Sequence, residues 1–163
     1  MDKIRVLIAD DTENIRQNIE NIIKGNAEKF EVIGQAKDGQ DEYKMILELK
    51  PDLVMSDMQM PEMNGLEVLD KITQDNSRND IRFVLITGER NITTLRMAQN
   101  LGVFKIVYKP FTEEQIINVL NEIIEDIEFQ KSQAQSNLQI TEQNKETFIV
   151  KLKKWLQKIF NNK

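Results

Sequence analysis

Three carboxylates, one hydroxyl and one ammonium group stand at points where short apolar runs of this chain end. Carboxylates that lie close together raise one another's pKa, so a cluster of three needs a compensating cation. A hard divalent ion with oxygen ligands meets that need, and Mg²⁺ suits a site of one or two direct carboxylates plus water. The residue types therefore predict a Mg²⁺ site at the ends of several strands. The residues are Asp10, Asp11, Asp57, Thr87 and Lys109.

A magnesium site of this kind favours phosphoryl chemistry. The ion gathers phosphoryl oxygens and neutralises their charge during transfer. A carboxylate can then act as the nucleophile and form an acyl phosphate. Lys109 would pair with the phosphoryl oxygens as a mobile point charge, Thr87 would donate a hydrogen bond to one of them, and Gly88 would leave room beside it.

Each of these features also has an ordinary structural explanation. Asp57 could simply begin a turn. The Asp10-Asp11 pair could only cap a helix, Thr87-Gly88 could only form a turn, and Lys109-Pro110 could be a plain strand exit. Because all four features fall at strand ends of one predicted sheet, a shared site is the better interpretation.

Strand and helix patterns alternate five times along the chain. Apolar, β-branched runs predict the strands, and apolar residues at helical spacing predict a helix after each one. This alternation is typical of a parallel sheet with both faces covered, which binds ligands outside the carboxyl ends of its strands. Polar residues 74–80 predict a loop. The predicted strands are residues 4–9, 30–36, 52–57, 81–87 and 104–108.

The composition excludes several classes of site. The chain has 163 residues and contains neither His nor Cys, so it can build no Ser-His or Cys-His pair, no His metal cluster and no disulfide. No apolar run reaches the length of a membrane span, and the N-terminus lacks a signal-peptide pattern. These features lead us to expect a cytoplasmic protein.

Charge is distributed unevenly along the chain. Residues 1–129 contain 15 basic and 25 acidic residues, whereas residues 130–163 contain seven basic and two acidic ones. An acidic body is a poor partner for nucleic acid, so we expect no nucleic-acid binding there. The basic end of the chain is suited to an anionic partner.

Residues 1–128 resemble the chemotaxis-like receiver domain of a bacterial two-component response regulator. The resemblance implies a flavodoxin-like (βα)5 fold with a five-stranded parallel sheet, and a cis Lys109-Pro110 peptide bond. The motifs that carry it are Ile8-Ala9-Asp10-Asp11, Asp57-Met58-Gln59-Met60-Pro61-Glu62-Met63-Asn64-Gly65, Thr87-Gly88-Glu89 and Lys109-Pro110-Phe111.

The same resemblance implies a role for each site residue. Asp57 would be the phosphoacceptor, and Thr87 and Lys109 would contact the phosphoryl group. A partner histidine kinase or phosphotransfer protein would supply the phosphoryl group, and phosphorylation would then change the binding of a downstream protein target. The chain would catalyse only its own phosphotransfer and autodephosphorylation, so we expect no separate enzyme activity. The implied Mg²⁺ ligands are Asp11, Asp57 and the backbone carbonyl of Gln59, with Asp10 acting through water.

Two rival functions fit the residues less well. A dehalogenase-type phosphatase also uses an aspartyl nucleophile, but it needs Asp-x-Asp at its first strand, and Asp10-Asp11-Thr12 does not supply that spacing. A phosphorylation-independent adaptor, dimerising or docking through its C-terminal helix, would have no use for an intact acidic cluster. The phosphoreceiver is therefore the preferred interpretation.

One position departs from the family pattern. Receivers usually place an aromatic ring or His three residues before the Lys, and the ring turns inward as the Thr moves. Here that position is Ile106, with Phe104 and Tyr108 on the same strand face. The departure therefore affects how a movement of Thr87 would reach the protein surface through a rotating ring. It does not affect the phosphorylation chemistry.

Residues 129–163 form a helical or linker extension with a basic amphipathic C-terminal helix. The absence of Gly and Pro from residue 111 onward permits one long helix, although the polar composition of residues 130–146 also suits a linker. A weak heptad spacing favours a homodimeric coiled coil first. A docked helix comes second, a membrane-surface helix third and disorder last. The apolar stripe consists of Phe148, Leu152, Trp155 and Ile159, flanked by Lys151, Lys154 and Lys158.

Overall fold

A computed structural model describes residues 2–75 and 81–160 of the chain, except the side chains of residues 140, 155, 156 and 158–160. Five strands alternate with five helices, as the sequence predicts. The predicted loop over residues 74–80 lies largely outside the described residues. The strands are β1 (Ile4–Ala9), β2 (Phe30–Ala36), β3 (Leu53–Asp57), β4 (Arg82–Thr87) and β5 (Lys105–Tyr108). The helices are α1 (Glu13–Lys24), α2 (Gly39–Leu49), α3 (Gly65–Gln74), α4 (Ile92–Asn100) and α5 (Glu113–Phe160).

All five strands are parallel and lie in the order β2-β1-β3-β4-β5. This is the flavodoxin-like order, and it confirms the predicted fold class. The chain changes direction across the sheet between β1 and β3, which therefore form the switch point where α/β sheets bind ligands. The ends of β1 and β3 are adjacent, since Ala9, the last residue of β1, pairs with Ser56, the residue before the last of β3.

The three central strands, β1, β3 and β4, are buried on both faces of the sheet, which explains why they are apolar almost without interruption. Leu7, Val54 and Phe83 lie side by side on one face and join the apolar side chains of α2 and α3 in a single cluster. Alternate residues such as Ile8 and Met55 point to the other face and are equally buried. Helix α1 contacts β1 and β2.

Side-chain caps fix the helices that begin near the carboxyl ends of the strands. Asp38 caps α2 by accepting a hydrogen bond from the Asp41 amide. Asn64 and Glu67 form a capping box at the start of α3, each side chain accepting from the other residue's amide. The Asn64–Glu67 box thus holds the loop after β3 between a buried strand and a fixed helix start.

Helix α5 continues without a break for 48 residues. The chain divides into two compact units, Met1–Leu120 and Asn121–Lys163. Along α5 the last buried residue is Ile127, and every described side chain beyond it is exposed. The predicted boundary between residues 128 and 129 stays a prediction. In the described part of the chain, no helix is both long enough and apolar enough to cross a membrane.

Candidate functional site

The sheet register brings the acidic residues together at one edge. Because Ala9 pairs with Ser56, the next residues in each strand direction, Asp10 and Asp57, emerge side by side. Asp11 follows immediately, and one carboxylate oxygen from each of the three residues lies within 4.8 Å of the others. Asp10 and Asp57 are 1% and 5% exposed, whereas Asp11 is exposed to solvent.

Lys109 binds two of these carboxylates at once. Its Nζ donates to Asp10 Oδ2 at 2.7 Å and to Asp57 Oδ2 at 2.8 Å. The Lys109 amide also donates to the Thr87 carbonyl, which fixes the chain at the end of β5. The peptide bond to Pro110 is cis, as the resemblance implies. The Lys109 ammonium thus neutralises part of the carboxylate charge for which the sequence predicts a metal ion.

Burial and hydrogen bonding oppose each other at Asp57. Burial raises the pKa of the carboxyl above its ordinary value, and Asp10 adds a smaller upward effect. The hydrogen bonds from Lys109 and from the Gln59 amide, at 3.1 Å to Oδ1, act in the opposite direction. Burial also lowers the pKa of Lys109, but its bonds to Asp10 and Asp57 more than offset that and leave it raised.

The other two acids are held differently. Asp10 Oδ1 accepts from the Thr12 amide at 2.8 Å, and the Asp10 carbonyl accepts from Arg16 Nη1 at 2.7 Å. Asp11 accepts only from the Thr12 hydroxyl among the bonds described, at 3.1 Å. Asp10 is therefore fixed in place, while the Asp11 carboxylate is available to a ligand.

The donor set fits a hard cation. All three charged groups are carboxylates, and the cleft beside them, about 530 Å³ in volume, is lined by Asp11, Gln59 and Glu89 among others. Oxygen ligands of this type are those that Mg²⁺ takes in proteins. Gln59 lies at the surface two residues after Asp57, which brings its backbone into the same loop.

Thr87 is fully buried at the end of β4, and its hydroxyl is already engaged. It accepts from the Glu89 amide at 2.8 Å and lies 3.6 Å from Met58 Sδ. The structure therefore places Thr87 at the same sheet edge as Asp57 without a described bond between the two side chains. Gly88 is exposed, and a Cβ added there would meet open space.

A model of the response regulator receiver domain matches residues 6–121. The chain belongs to this family. The chemotaxis protein CheY of Thermotoga maritima is 31% identical over 119 residues, which cover 73% of this chain and 96% of the relative. The uncharacterized transcriptional regulatory protein YesN of Bacillus subtilis is 31% identical over 126 residues, but these cover only 34% of its length. The chain thus spans about a third of that larger relative.

Solved structures give the same result for the receiver fold. The receiver domain of AraT, a response regulator from Geobacillus stearothermophilus, has a TM-score of 0.70 and 28% identity, covering 78% of this chain and 97% of that one. The receiver domain of CheB from Thermotoga maritima has a TM-score of 0.66 and 27% identity. The long continuation of α5 lies beyond the region matched by the receiver model.

The receiver's departure at Ile106 is visible in the structure. Ile106 is half-buried and packs against the apolar cluster under α2 and α3. Tyr108, two residues later, is 36% exposed, and the Arg90 guanidinium lies 5.1 Å from its ring centroid. Tyr108 is thus placed at the surface beside the loop that follows Thr87.

Sequence reasoning missed a buried acid close to the receiver's acidic cluster. Glu42 of α2 is fully buried, and its Oε2 accepts from the Ser56 hydroxyl at 3.0 Å. Its Oε1 has no hydrogen-bond partner among the described residues. Burial raises the pKa of Glu42 to about 8, with Asp57 adding to the effect. The available signal was spacing, because Glu42 lies one helical turn before the buried Ile46.

Two glycines allow the receiver's loop after β3 to pack closely. A Cβ on Gly65 would lie 2.4 Å from the Asp57 carbonyl oxygen and 2.6 Å from Ser56 Oγ. A Cβ on Gly39 would lie 1.9 Å from the Met63 carbonyl oxygen. Such distances leave no room for a side chain, so both positions require glycine.

Proposed function

We propose that this receiver accepts a phosphoryl group on Asp57 from a partner histidine kinase or phosphotransfer protein. The observation that carries the proposal is the position of Asp57 at the carboxyl end of β3. There its carboxylate clusters with Asp10 and Asp11 and accepts from Lys109 at 2.8 Å. A buried acid in such surroundings is typical of a functional site.

Asp57 would act as the nucleophile. One carboxylate oxygen attacks phosphorus, the bond between phosphorus and the donor's leaving atom breaks, and the leaving group departs with that electron pair. The carboxylate must be ionised to attack. The Lys109 ammonium and the Gln59 amide favour that form, against the effect of burial.

Mg²⁺ fits the remaining donors. Asp11, Asp57 and the backbone carbonyl of Gln59 would hold the ion, and Asp10 would act through water. When bound, the ion supplies charge neutralisation to the phosphoryl oxygens. Lys109, which follows β5, contributes a second positive charge and positions the Asp57 oxygen that it binds.

The signal would leave the site through Thr87. In this structure the Thr87 hydroxyl accepts from the Glu89 amide and directs its own hydrogen to Met58 Sδ. A phosphoryl group on Asp57 would accept that hydrogen instead, and the movement of Oγ1 toward the phosphoryl group would break its bond to the Glu89 amide. Loss of the bond would release residues 88–92 and favour a second conformer that a downstream protein recognises. The chain would then act as a switch and would modify no substrate other than itself.

Phosphotransfer from a small acyl phosphate tests the proposal. With Mg²⁺ present, intact mass should increase by one phosphoryl group, and chelation of the metal should abolish the increase. Asp57→Asn should not be labelled, while Asp70→Asn, which removes the same charge on α3, should be labelled normally. Full labelling of Asp57→Asn would refute the assignment.

A further inference from the structure

The last third of α5 presents a concentrated group of exposed apolar side chains. Phe148, Ile149, Val150 and Leu152 are 66%, 49%, 52% and 42% exposed. Three of these side chains, Phe148, Ile149 and Leu152, lie on one side of the helix, and contiguous exposed apolar surface usually marks an interaction site. This part of the helix is therefore suited to a partner.

The same segment is strongly basic. Residues 145–163 contain six lysines and a single acidic residue, Glu146. Lys151, Lys153 and Lys154 lie among the apolar residues on the described helix and are exposed. The partner that covers this segment should therefore combine an apolar interior with negative charge at its surface.

The spacing separates the apolar and basic residues around the helix. At 100° per residue, Phe148, Leu152 and Ile149 fall within about one third of the circumference. Lys151, Lys153 and Lys154 fall outside that arc, and Val150 lies with them. Lys145 falls within the arc, where its long side chain can place the ammonium at the level of the headgroups. The sequence repeats the apolar spacing at Trp155 and Ile159. A wide apolar arc that includes Trp and Phe, opposite a lysine-rich face, is the pattern of an interfacial helix.

A second copy of the chain fits this segment less well. The heptad seam that predicts a coiled coil contains Lys131, Thr141 and Lys145, all of them exposed here. Two parallel copies would bury those lysines and bring the lysines of residues 151–154 close to their counterparts, where like charges repel. At an anionic surface the lysines meet opposite charge and need not be buried against one another.

We propose that residues 145–160 bind an anionic lipid bilayer as an in-plane amphipathic helix. The apolar arc would enter the boundary between headgroups and acyl chains, while the lysines would pair with lipid phosphates. The inference does not depend on phosphorylation, since none of these residues belongs to the acidic cluster at Asp57. The helix would hold the receiver at a membrane surface without crossing the bilayer.

Vesicle binding by the full-length protein tests the inference. Trp155 is the only Trp, so its emission reports on this segment. Vesicles of phosphatidylcholine with phosphatidylglycerol should shift the emission to the blue and carry the protein in flotation. Vesicles of phosphatidylcholine alone should do neither. Salt should weaken the binding, because the lysine contribution is screened.

Matched variants separate charge placement from total charge. Replacing Lys151, Lys153 and Lys154 with Gln should weaken anionic-vesicle binding on the order of a hundredfold, at roughly tenfold or less per lysine. The same replacement at Lys29, Lys37 and Lys44, which are exposed on the receiver, should leave binding intact. Leu152→Gln should also weaken it, whereas Asp57→Asn should not.

Three results would overturn the inference. The first is no flotation with anionic vesicles, and the second is equal binding to neutral ones. The third is an emission shift that depends on protein concentration without lipid, together with a dimer mass, which would assign the segment to a second copy.

Discussion

Ser56, the residue immediately before Asp57, donates a 3.0 Å hydrogen bond to Glu42. This bond ties a buried acid of α2 to the end of the central strand β3. Glu42 is fully buried and its second oxygen lacks a partner among the described residues. A buried carboxylate in this position would be costly, and the protonated form avoids most of that cost. The raised pKa of about 8 follows from burial.

Glu42 should make folding stability depend on pH. Its pKa is about 8 in the folded chain against 4.5 in its ordinary state, so the folded form binds the proton more tightly. The contribution of this proton to the free energy of unfolding is fully present below about pH 4.5. It is lost as pH rises toward 8, at up to about 1.4 kcal/mol per pH unit.

Glu42→Gln should remove this dependence, because the amide cannot ionise. Urea unfolding of both proteins from pH 5 to 8 measures the difference, with Glu48→Gln, an exposed change on the same helix, as the control. The variant should gain stability relative to wild type as pH rises. Parallel curves for wild type and Glu42→Gln would show that Glu42 is not protonated in the fold.

Asp11 should matter for the metal and little for the fold. Its carboxylate is exposed and is not bound by Lys109, so Asp11→Asn should change metal-free stability by about 0.5 kcal/mol or less. Mg²⁺ affinity, measured by calorimetric titration, should fall because one anionic ligand is lost. A large rise in metal-free stability would instead mean that repulsion among the three carboxylates outweighs their compensation by Lys109.

The same substitution should destabilise the fold at Gly65 and have little effect at Gly88. Gly65→Ala places a methyl group 2.4 Å from the Asp57 carbonyl oxygen and should destabilise the fold by about 1–3 kcal/mol. Gly88→Ala meets open space and should be close to neutral. Thermal unfolding compares them directly. Equal stability of the two variants would show that the loop after β3 is not confined by Gly65.

Thr87 should report phosphorylation through the loop that follows it. With Mg²⁺ and beryllofluoride, the Glu89 amide should lose its bond to Thr87 Oγ1, and NMR shifts should concentrate in residues 88–92. Thr87→Ala should abolish the response, whereas Thr87→Ser retains the hydroxyl and should preserve it. Tyr108 ring signals that change as strongly as the Glu89 amide would favour an aromatic switch at the surface.

The sequence predicts the sheet well because its three central strands, β1, β3 and β4, are buried on both faces. Apolar runs such as Ile4–Ala9 have no competing helical interpretation at that length, and the acids at their ends mark one edge. Parallel pairing then brings those ends together. The cluster of Asp10, Asp11 and Asp57 was thus accessible from pattern and topology alone.

The sequence does not predict which side chains pair with one another across the fold. That Lys109 binds both Asp10 and Asp57 depends on the register of three strands. The burial of Glu42 depends on how α2 lies over β1 and β2, which the helical spacing of α2 alone does not specify. The weak heptad after Ile127 likewise left several interpretations of α5 open, since exposed helix faces carry little positional information.

Locating the modified residue tests the central claim most directly. After labelling with a small acyl phosphate and Mg²⁺, borohydride reduces a phosphoaspartate to homoserine, which tandem mass spectrometry assigns to a position in the chain. We expect homoserine at residue 57 alone, in a yield that falls sharply in Lys109→Ala. Homoserine at residue 10 or 11, or labelled protein with none at residue 57, would contradict Asp57 as the phosphoacceptor.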